Sequence, residues 1–148
     1  YHYLGNKDQV LFETLRIGLS QLSAAADEAR ALPGDGLTRL ACFLRRYAEV
    51  NMDDFGRCVI RTGDEVLAPE SRRQFRALKR QIDNALRGLL EDAVADGSAV
   101  APDIRFAAFA IAGALNWPAR WYAPSGPASP ADAARRLVDT LLDGLRPR

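Results

Sequence analysis

The chain has 148 residues, enough for one domain that buries roughly two-thirds of its unfolded surface. Twenty basic residues stand against nineteen acidic ones, so the net charge of +1 excludes a global attraction to nucleic acid and leaves only local patches. Two cysteines, one histidine and no apolar run of membrane-spanning length favour a soluble, cytoplasmic protein without a metal, a disulfide or a cofactor.

The first seven residues, Tyr1-His2-Tyr3-Leu4-Gly5-Asn6-Lys7, have the composition of a junction between two helices. Gly5 permits the left-handed turn that ends a helix, and Asn6 can cap the next one. Gln9 follows the cap by three residues, as in a capping box. The sequence therefore predicts a helix break here.

Apolar residues recur with helical spacing in six segments, and no segment alternates with period two, so the sequence predicts an all-α fold. The first four helices are predicted over about residues 7–31, 37–50, 55–61 and 68–96. The fifth begins near residue 101 and bends at Pro118, and the sixth begins at Pro130. Opposite charges four residues apart in the sixth helix, as at Asp132 and Arg136, predict ion pairs on its solvent side.

The fifth helix is apolar on both sides, and the sixth has a wide apolar stripe. A second copy of the chain would cover both surfaces in a four-helix bundle, and small residues on the fifth helix permit close approach. The alternative is that one face of the fifth helix packs only on the fourth. The predicted dimer interface comprises Ile111, Leu115, Trp121, Leu137, Val138, Leu141 and Leu145.

Two parts of the chain resemble a known family. The N-terminal run, with the acidic residue and Val10-Leu11 that follow it, resembles the end of the DNA-binding domain of TetR-family transcription regulators. The tail, with Asn116-Trp117, Arg120-Trp121-Tyr122 and a Gly-Pro loop, is similar to a TetR subgroup that includes regulators of fatty-acid and sterol degradation. Pro118 departs from that pattern, and Ala123 stands where a basic residue is often found.

The resemblance implies a TetR-like helical ligand-binding and dimerisation domain over residues 7–148, preceded in residues 1–6 by the end of a helix-turn-helix. In the DNA-binding part, Tyr1, His2 and Tyr3 would face operator DNA, and Lys7 would hold a phosphate. The implied protein is a homodimeric repressor that leaves its operator when a small-molecule effector binds. For this subgroup the implied effector is an acyl-coenzyme A (acyl-CoA) thioester.

The same resemblance implies an effector pocket with an apolar slot and nearby cations. Candidate slot residues are Phe55, Phe75, Leu78 and Phe109, candidate phosphate contacts are Arg61, Arg76 and Arg120, and Trp117 is a further candidate contact. Asn116 is an amide among apolar neighbours in a helix, so it needs a partner: a ligand, a backbone group or the other subunit.

An enzyme is excluded as the functional class because the sequence has no nucleophile motif, metal-ligand spacing, phosphate-binding loop or dinucleotide fingerprint. Two alternatives to an acyl-CoA-responsive regulator stay open. One is a drug-responsive repressor of an efflux pump, and the other is a helical dimerisation module without an effector. Both repression and activation are compatible with the pattern, which specifies neither the effector nor the operator sequence.

Overall fold

The computed structural model describes residues 2–145 and 147, apart from the side chains of residues 2–6 and 59–62. This part of the chain forms seven helices and no strand, which confirms the predicted all-α class. The helices are α1 (His2–Arg30), α2 (Gly36–Met52), α3 (Asp54–Thr62), α4 (Pro69–Ala95), α5 (Ile104–Asn116), α6 (Pro118–Trp121) and α7 (Pro130–Asp143). Within the described residues, no helix combines the length and apolar character needed to cross a membrane.

The predicted break near Gly5 is wrong, because α1 is continuous from His2 to Arg30. A glycine inside a helix costs only about 1 kcal/mol relative to alanine. The remaining turns of a 29-residue helix outweigh that cost. The helix that we predicted to begin at Lys7 therefore begins five residues earlier.

The other helix boundaries lie close to the predicted ones. Asp35 caps α2 by accepting a hydrogen bond from the Thr38 N–H, and Ser129 caps α7 through the Asp132 N–H. At Pro118, predicted as a bend, α5 has already ended and the short helix α6 begins. Proline has no N–H to continue the hydrogen-bond ladder of α5, but it fits the first turn of a new helix.

Helix α2 lies at the centre of the fold and contacts α1, α3, α4, α5, α6 and α7. Its buried face meets leucine-rich faces of α1 and α4, which also pack on each other. The most deeply buried large side chains of this core include Leu15, Leu40, Phe43, Leu44, Met52 and Leu89.

The start of α2 packs closely against the end of α4 and is hydrogen-bonded to the residues that follow it. A Cβ at Gly36 would approach the Ala93 Cα to 2.5 Å, so glycine is what allows the two backbones to approach so closely. Asp96, just after α4, accepts a hydrogen bond from the Gly36 N–H at 2.6 Å. Ser98 Oγ accepts another from the Leu37 N–H at 2.9 Å. These contacts satisfy backbone donors that the first turn of a helix leaves unpaired.

In the single chain, the two-sided burial predicted for α5 is not achieved. Only Ala108 and Leu115 of α5 are buried. Phe106, Phe109 and Trp117 are 70%, 54% and 60% exposed. On α7, Arg136 Nε lies 3.0 Å from Asp132 Oδ2, which confirms the predicted ion pair.

Candidate functional site

A small cavity of about 40 Å³ lies where α1, α2, α3, α4 and the end of α5 meet. Because a cavity of roughly 10–15 Å³ on this measure holds one water, the space suits a few waters or a short apolar group. Its walls are mostly apolar, with polar groups on α2, α4 and α5. The lining residues are Leu19, Leu22, Tyr47, Asn51, Phe55, Phe75, Lys79, Ile82, Asp83 and Asn116.

A buried hydrogen-bond network forms the polar wall of this cavity. Tyr47 Oη donates to Asn116 Oδ1 at 2.7 Å, and Asn51 Nδ2 donates to the same oxygen at 3.0 Å. Asn51 Nδ2 also donates to the Leu115 carbonyl at 3.0 Å, which ties the end of α5 to α2. Because two donors already occupy its oxygen, Asn116 can offer its amide nitrogen as a donor to a ligand.

Two charged side chains of α4, Lys79 and Asp83, complete the lining. Although Asp83 is exposed, desolvation of its carboxyl raises its pKa, against the opposing effect of Lys79 and Arg87. Burial, with a smaller effect of Asp83, raises the pKa of Tyr47 to about 12. The Tyr47 hydroxyl therefore stays protonated and able to donate at any physiological pH.

Next to the cavity, α4 presents a cluster of arginines around a concave surface of about 280 Å³. Arg76 makes a bidentate contact with Asp64: Nε donates to Oδ2 at 2.6 Å, and Nη2 donates to Oδ1 at 3.3 Å. Arg76 holds the pKa of Asp64 below its usual value, and Lys79 and Arg72 add to this effect. Lys79 lines the cavity and follows Arg76 by three residues on α4, so the cavity and the arginine cluster are neighbours along this helix.

The cavity is connected to α1 through Phe55. The Phe55 ring lies directly against the α1 backbone at Gly18, where a Cβ would overlap the ring. Phe55 also lines the cavity. A ligand that displaces this ring therefore acts directly on α1.

A second connection joins α1 to the start of α4. Asp8 Oδ1 accepts a hydrogen bond from the Ala68 N–H at 2.6 Å, and Asp8 Oδ2 accepts one from Ser71 Oγ at 2.7 Å. Ala68 is the N-cap residue of α4 and has no side chain able to cap it. The carboxylate of α1 thus supplies a cap that the sequence of α4 lacks.

A family model described as "Tetracyclin repressor-like, C-terminal domain" matches residues 33–145. The chain belongs to the TetR family. The fold of this TetR-family chain is also that of solved regulators. The TetR-family regulator PfmR from Thermus thermophilus is 30% identical, with a TM-score of 0.86 over 99% of this chain and 81% of that one. No curated protein matches the chain in sequence.

Two further solved structures show the same fold. A TetR-family regulator from Streptomyces coelicolor is 25% identical, with a TM-score of 0.82 over 95% of this chain and 72% of that one. AibR, solved in complex with isovaleryl coenzyme A and operator DNA, is 20% identical, with a TM-score of 0.78 over 96% of this chain and 78% of that one.

The structure brings together three of the nine ligand-binding residues predicted from the sequence: Phe55, Phe75 and Asn116 line the cavity. Leu78 packs against the core without lining the cavity, and Arg76 is paired with Asp64 beside it. The remaining candidates lie away from the cavity or outside the described side chains. Phe109 lies exposed on α5, Trp117 is exposed just after α5, Arg120 is exposed on α6, and the Arg61 side chain is outside the described residues.

Tyr47, Asn51, Lys79 and Asp83 also line the cavity but were missed by the sequence analysis. The available signal was on α2, where Tyr47 and Asn51 are four residues apart and therefore on one face. Asn51 is only 5% exposed, although asparagine is usually a surface residue. A polar pair on the buried stripe of a helix is a detectable sign of a buried network.

The predicted dimer-interface residues fall into three groups. Leu115 and Val138 are fully buried in the core of the chain itself, where a partner cannot contact them. Ile111, Leu137 and Leu141 are half-buried, and Trp121 and Leu145 are exposed. The large apolar side chains most exposed on α5 are Phe106 and Phe109, which the predicted set omitted, and the C-cap residue Trp117 follows them on the same side.

The predicted DNA contacts at Tyr1, His2 and Tyr3 have side chains outside the described residues. Lys7 is exposed on the first turns of α1.

Proposed function

We propose that this chain is the effector-binding and dimerisation part of a DNA-binding transcription regulator, a repressor that an acyl-CoA thioester releases from its operator. The cavity beneath α1 is the observation that carries this proposal, because it combines an apolar interior with a polar wall and adjoins cationic side chains. An apolar pocket with a few convergent polar groups is the usual form of a small-molecule site. In this proposal residues 7–148 form the effector domain, and residues 1–6 end the DNA-binding domain.

The cavity favours a short acyl group. Its volume of about 40 Å³ has no room for a long chain unless the helices move apart. The Asn116 amide nitrogen can donate to the thioester carbonyl, while Phe55, Phe75 and Ile82 contact the acyl carbons. AibR, which shares this fold, binds isovaleryl coenzyme A, whose acyl group is short and branched.

We further propose that the working form is a homodimer built on α5 and α7. Phe106 and Phe109 pack edge to face on the outer side of α5, and Trp117 continues the same side. So much exposed aromatic surface on one helix is characteristic of a protein interface. A two-fold arrangement would bury this side of both copies against each other.

The path from the cavity to DNA runs through α1. Tyr1, His2 and Tyr3 of the N-terminal sequence, together with Lys7, are the proposed DNA contacts. The same helix touches the cavity through Gly18 and holds the start of α4 through Asp8. An effector that binds one position of α1 better than another would shift the equilibrium between DNA-bound and released states.

A drug-responsive regulator of an efflux pump is the second candidate, and Asp83 is the observation that favours it. This carboxylate lines the cavity and is partly desolvated, so a ligand with a cationic group would gain an ion pair there. Lys79, four residues earlier on the same helix, opposes a cationic ligand. The two effector classes therefore carry opposite charge and can be separated by experiment.

The test uses the full-length protein and a fluorescent operator selected by that protein from random DNA. Operator release is followed by anisotropy during titration with thioesters from acetyl- to palmitoyl-CoA, the corresponding free acids, coenzyme A alone and cationic drugs. We expect release by short-chain thioesters and none by the free acids. Release by drugs alone would support the second candidate, and release by no compound would leave a regulator without an effector of these classes.

A further inference from the structure

The arginine cluster on α4 has the composition of an anion-binding surface. The concave surface of about 280 Å³ is lined by Pro69, Arg72, Arg73, Arg76 and Arg80, with no carboxylate among its described lining residues. The chain as a whole carries a net charge of only +1, so this is a local concentration of positive charge. Pro69 marks the first turn of α4, where the helix dipole adds a positive potential.

The arginines differ in how they are held. Arg72 Nη2 donates to the backbone carbonyls of Glu65 and Leu67 at 3.1 and 3.0 Å, so this side chain shapes the preceding loop. Arg76 is held in place by its bidentate contact with the Asp64 carboxylate. These two residues build the surface, and their existing contacts limit how much they can give to a ligand.

Arg73 and Arg80 are better placed than Arg72 and Arg76 to donate hydrogen bonds to a ligand. Arg73 pairs with Glu70 at 2.8 Å, but both side chains are largely exposed, and such pairs contribute little. No described residue accepts a hydrogen bond from Arg80 or forms an ion pair with it. Because residues 73, 76 and 80 are spaced by three and four positions, their guanidinium groups lie along one side of α4.

The cluster adjoins the cavity along the same helix. Lys79 lines the cavity and also acts on Asp64, the partner of Arg76. From residue 79 back to residue 73 the helix rises roughly 9 Å. A ligand with an apolar end in the cavity can therefore extend its other end over the arginines.

We propose that Arg73 and Arg80, supported by Arg76 and Lys79, bind the phosphate groups of an effector whose acyl end occupies the cavity. Guanidinium groups suit this role because they donate paired hydrogen bonds to phosphate oxygens. This inference rests on the proposed acyl-CoA effector and assigns its headgroup to a site. The site recognises phosphate, whereas the cavity recognises the acyl group.

The test compares two ligands that share an acyl end and differ in phosphates: butyryl-CoA and S-butyrylpantetheine. The full-length double variant Arg73→Gln/Arg80→Gln removes two exposed charges and leaves the Arg72 and Arg76 contacts in place. By calorimetry we expect butyryl-CoA to bind the double variant at least about tenfold more weakly, in line with the loss of charge-assisted hydrogen bonds. We expect S-butyrylpantetheine to bind both proteins equally.

Arg30→Gln is the matched control, because Arg30 is an exposed arginine at the far end of α1 that pairs with Asp27. Unchanged butyryl-CoA binding by the double variant would overturn the inference, and so would an equal loss of the pantetheine ester.

Failure of the proposed effector has a different signature. If the wild type binds neither thioester, adenosine 3′,5′-bisphosphate becomes the probe. If this probe binds the wild type and binds the double variant more weakly, the phosphate site is supported and the acyl-CoA effector is rejected. If it does not bind the wild type, both the phosphate site and the acyl-CoA effector are rejected.

Discussion

The ring of Phe55 on α3 lies against the backbone of α1 at Gly18, with no room for a methyl group between them. Phe55 also lines the cavity, so one side chain lies both at the proposed effector site and against the helix proposed to transmit effector binding. Gly18 is buried in the middle of a 29-residue helix, where glycine is unfavourable by about 1 kcal/mol relative to alanine. The close contact with Phe55 explains why a glycine occupies this position.

Gly18→Ala should destabilise the protein, because overpacking of about 1–3 kcal/mol outweighs the gain in helix propensity. In a Phe55→Ala background the same substitution should be neutral or stabilising, since the obstructing ring is gone. Urea unfolding of the four proteins in this cycle measures the coupling. If the changes in unfolding free energy of the two single variants add up to that of the double variant, the Phe55 ring does not determine which side chain fits at position 18.

Asp8→Ala should lower the free energy of unfolding by about 1 kcal/mol, the typical value of a helix cap. The reason is that Asp8 caps α4 from α1 through the Ala68 N–H and Ser71 Oγ. Asp27→Ala is the control, because Asp27 lies on the same helix and its side chain forms an exposed ion pair with Arg30. Equal urea midpoints for Asp8→Ala and Asp27→Ala would show that Asp8 does not stabilise the start of α4.

The contacts of Asp96 predict a loss of stability in acid. Hydrogen bonds from Ser98 and from the Gly36 N–H hold the pKa of Asp96 below its ordinary value of 3.8. A lowered folded-state pKa contributes stability above pH 3.8, and this contribution is lost as the pH falls through the folded-state pKa.

Asp96→Asn should therefore reduce stability near neutral pH and flatten the acid limb of the stability curve. Asp92→Asn, at an exposed position in the last turn of α4, should leave the acid limb unchanged. Thermal unfolding from about pH 7 down to about pH 2 tests this pair. An unchanged acid limb in Asp96→Asn would contradict the assignment.

Phe109→Glu should dissociate the proposed homodimer and leave the fold of each chain intact, because residue 109 is 54% exposed in the single chain. Each buried phenylalanine stabilises by roughly 1.5–3 kcal/mol, and a two-fold interface loses two of them. The dimer dissociation constant should thus rise at least about a hundredfold. Sedimentation velocity measures this constant.

Ile17→Glu is the matched control, since Ile17 is an aliphatic residue of equal exposure on α1. Circular dichroism confirms that both variants fold. If Phe109→Glu is still dimeric at a protein concentration at which the wild type is dimeric, the interface does not include Phe109.

Local sequence signals were sufficient for much of the fold. The leucine spacing in α1 and α4 predicted both helices, and Pro69 and Pro130 marked helix starts correctly because proline fits a first turn. The break at Gly5 was wrong because a single helix-breaking residue yields to the cooperativity of a long helix. Pro118 had a larger effect than a bend, since it separates α5 from α6.

The cavity depends on tertiary structure that spacing does not reveal. Asn116 was predicted from its apolar surroundings, but its partners Tyr47 and Asn51 lie more than sixty residues away on α2. The register of α5 on α2 decides that contact. In the same way, Leu115 and Phe109 look equally apolar in the sequence, and only the packing of α5 buries one and exposes the other.

The most direct test of the effector cavity is thermal unfolding of the full-length protein with butyryl-CoA, compared between the wild type and Ile82→Phe. Ile82 is 4% exposed and lines the cavity, so a larger side chain there fills the proposed acyl site. At about a hundred times its dissociation constant, the thioester should stabilise the wild type by about 2.7 kcal/mol. We expect this shift in the wild type and none in Ile82→Phe at the same concentration. No shift in the wild type, or equal shifts in both proteins, would contradict the proposed effector cavity.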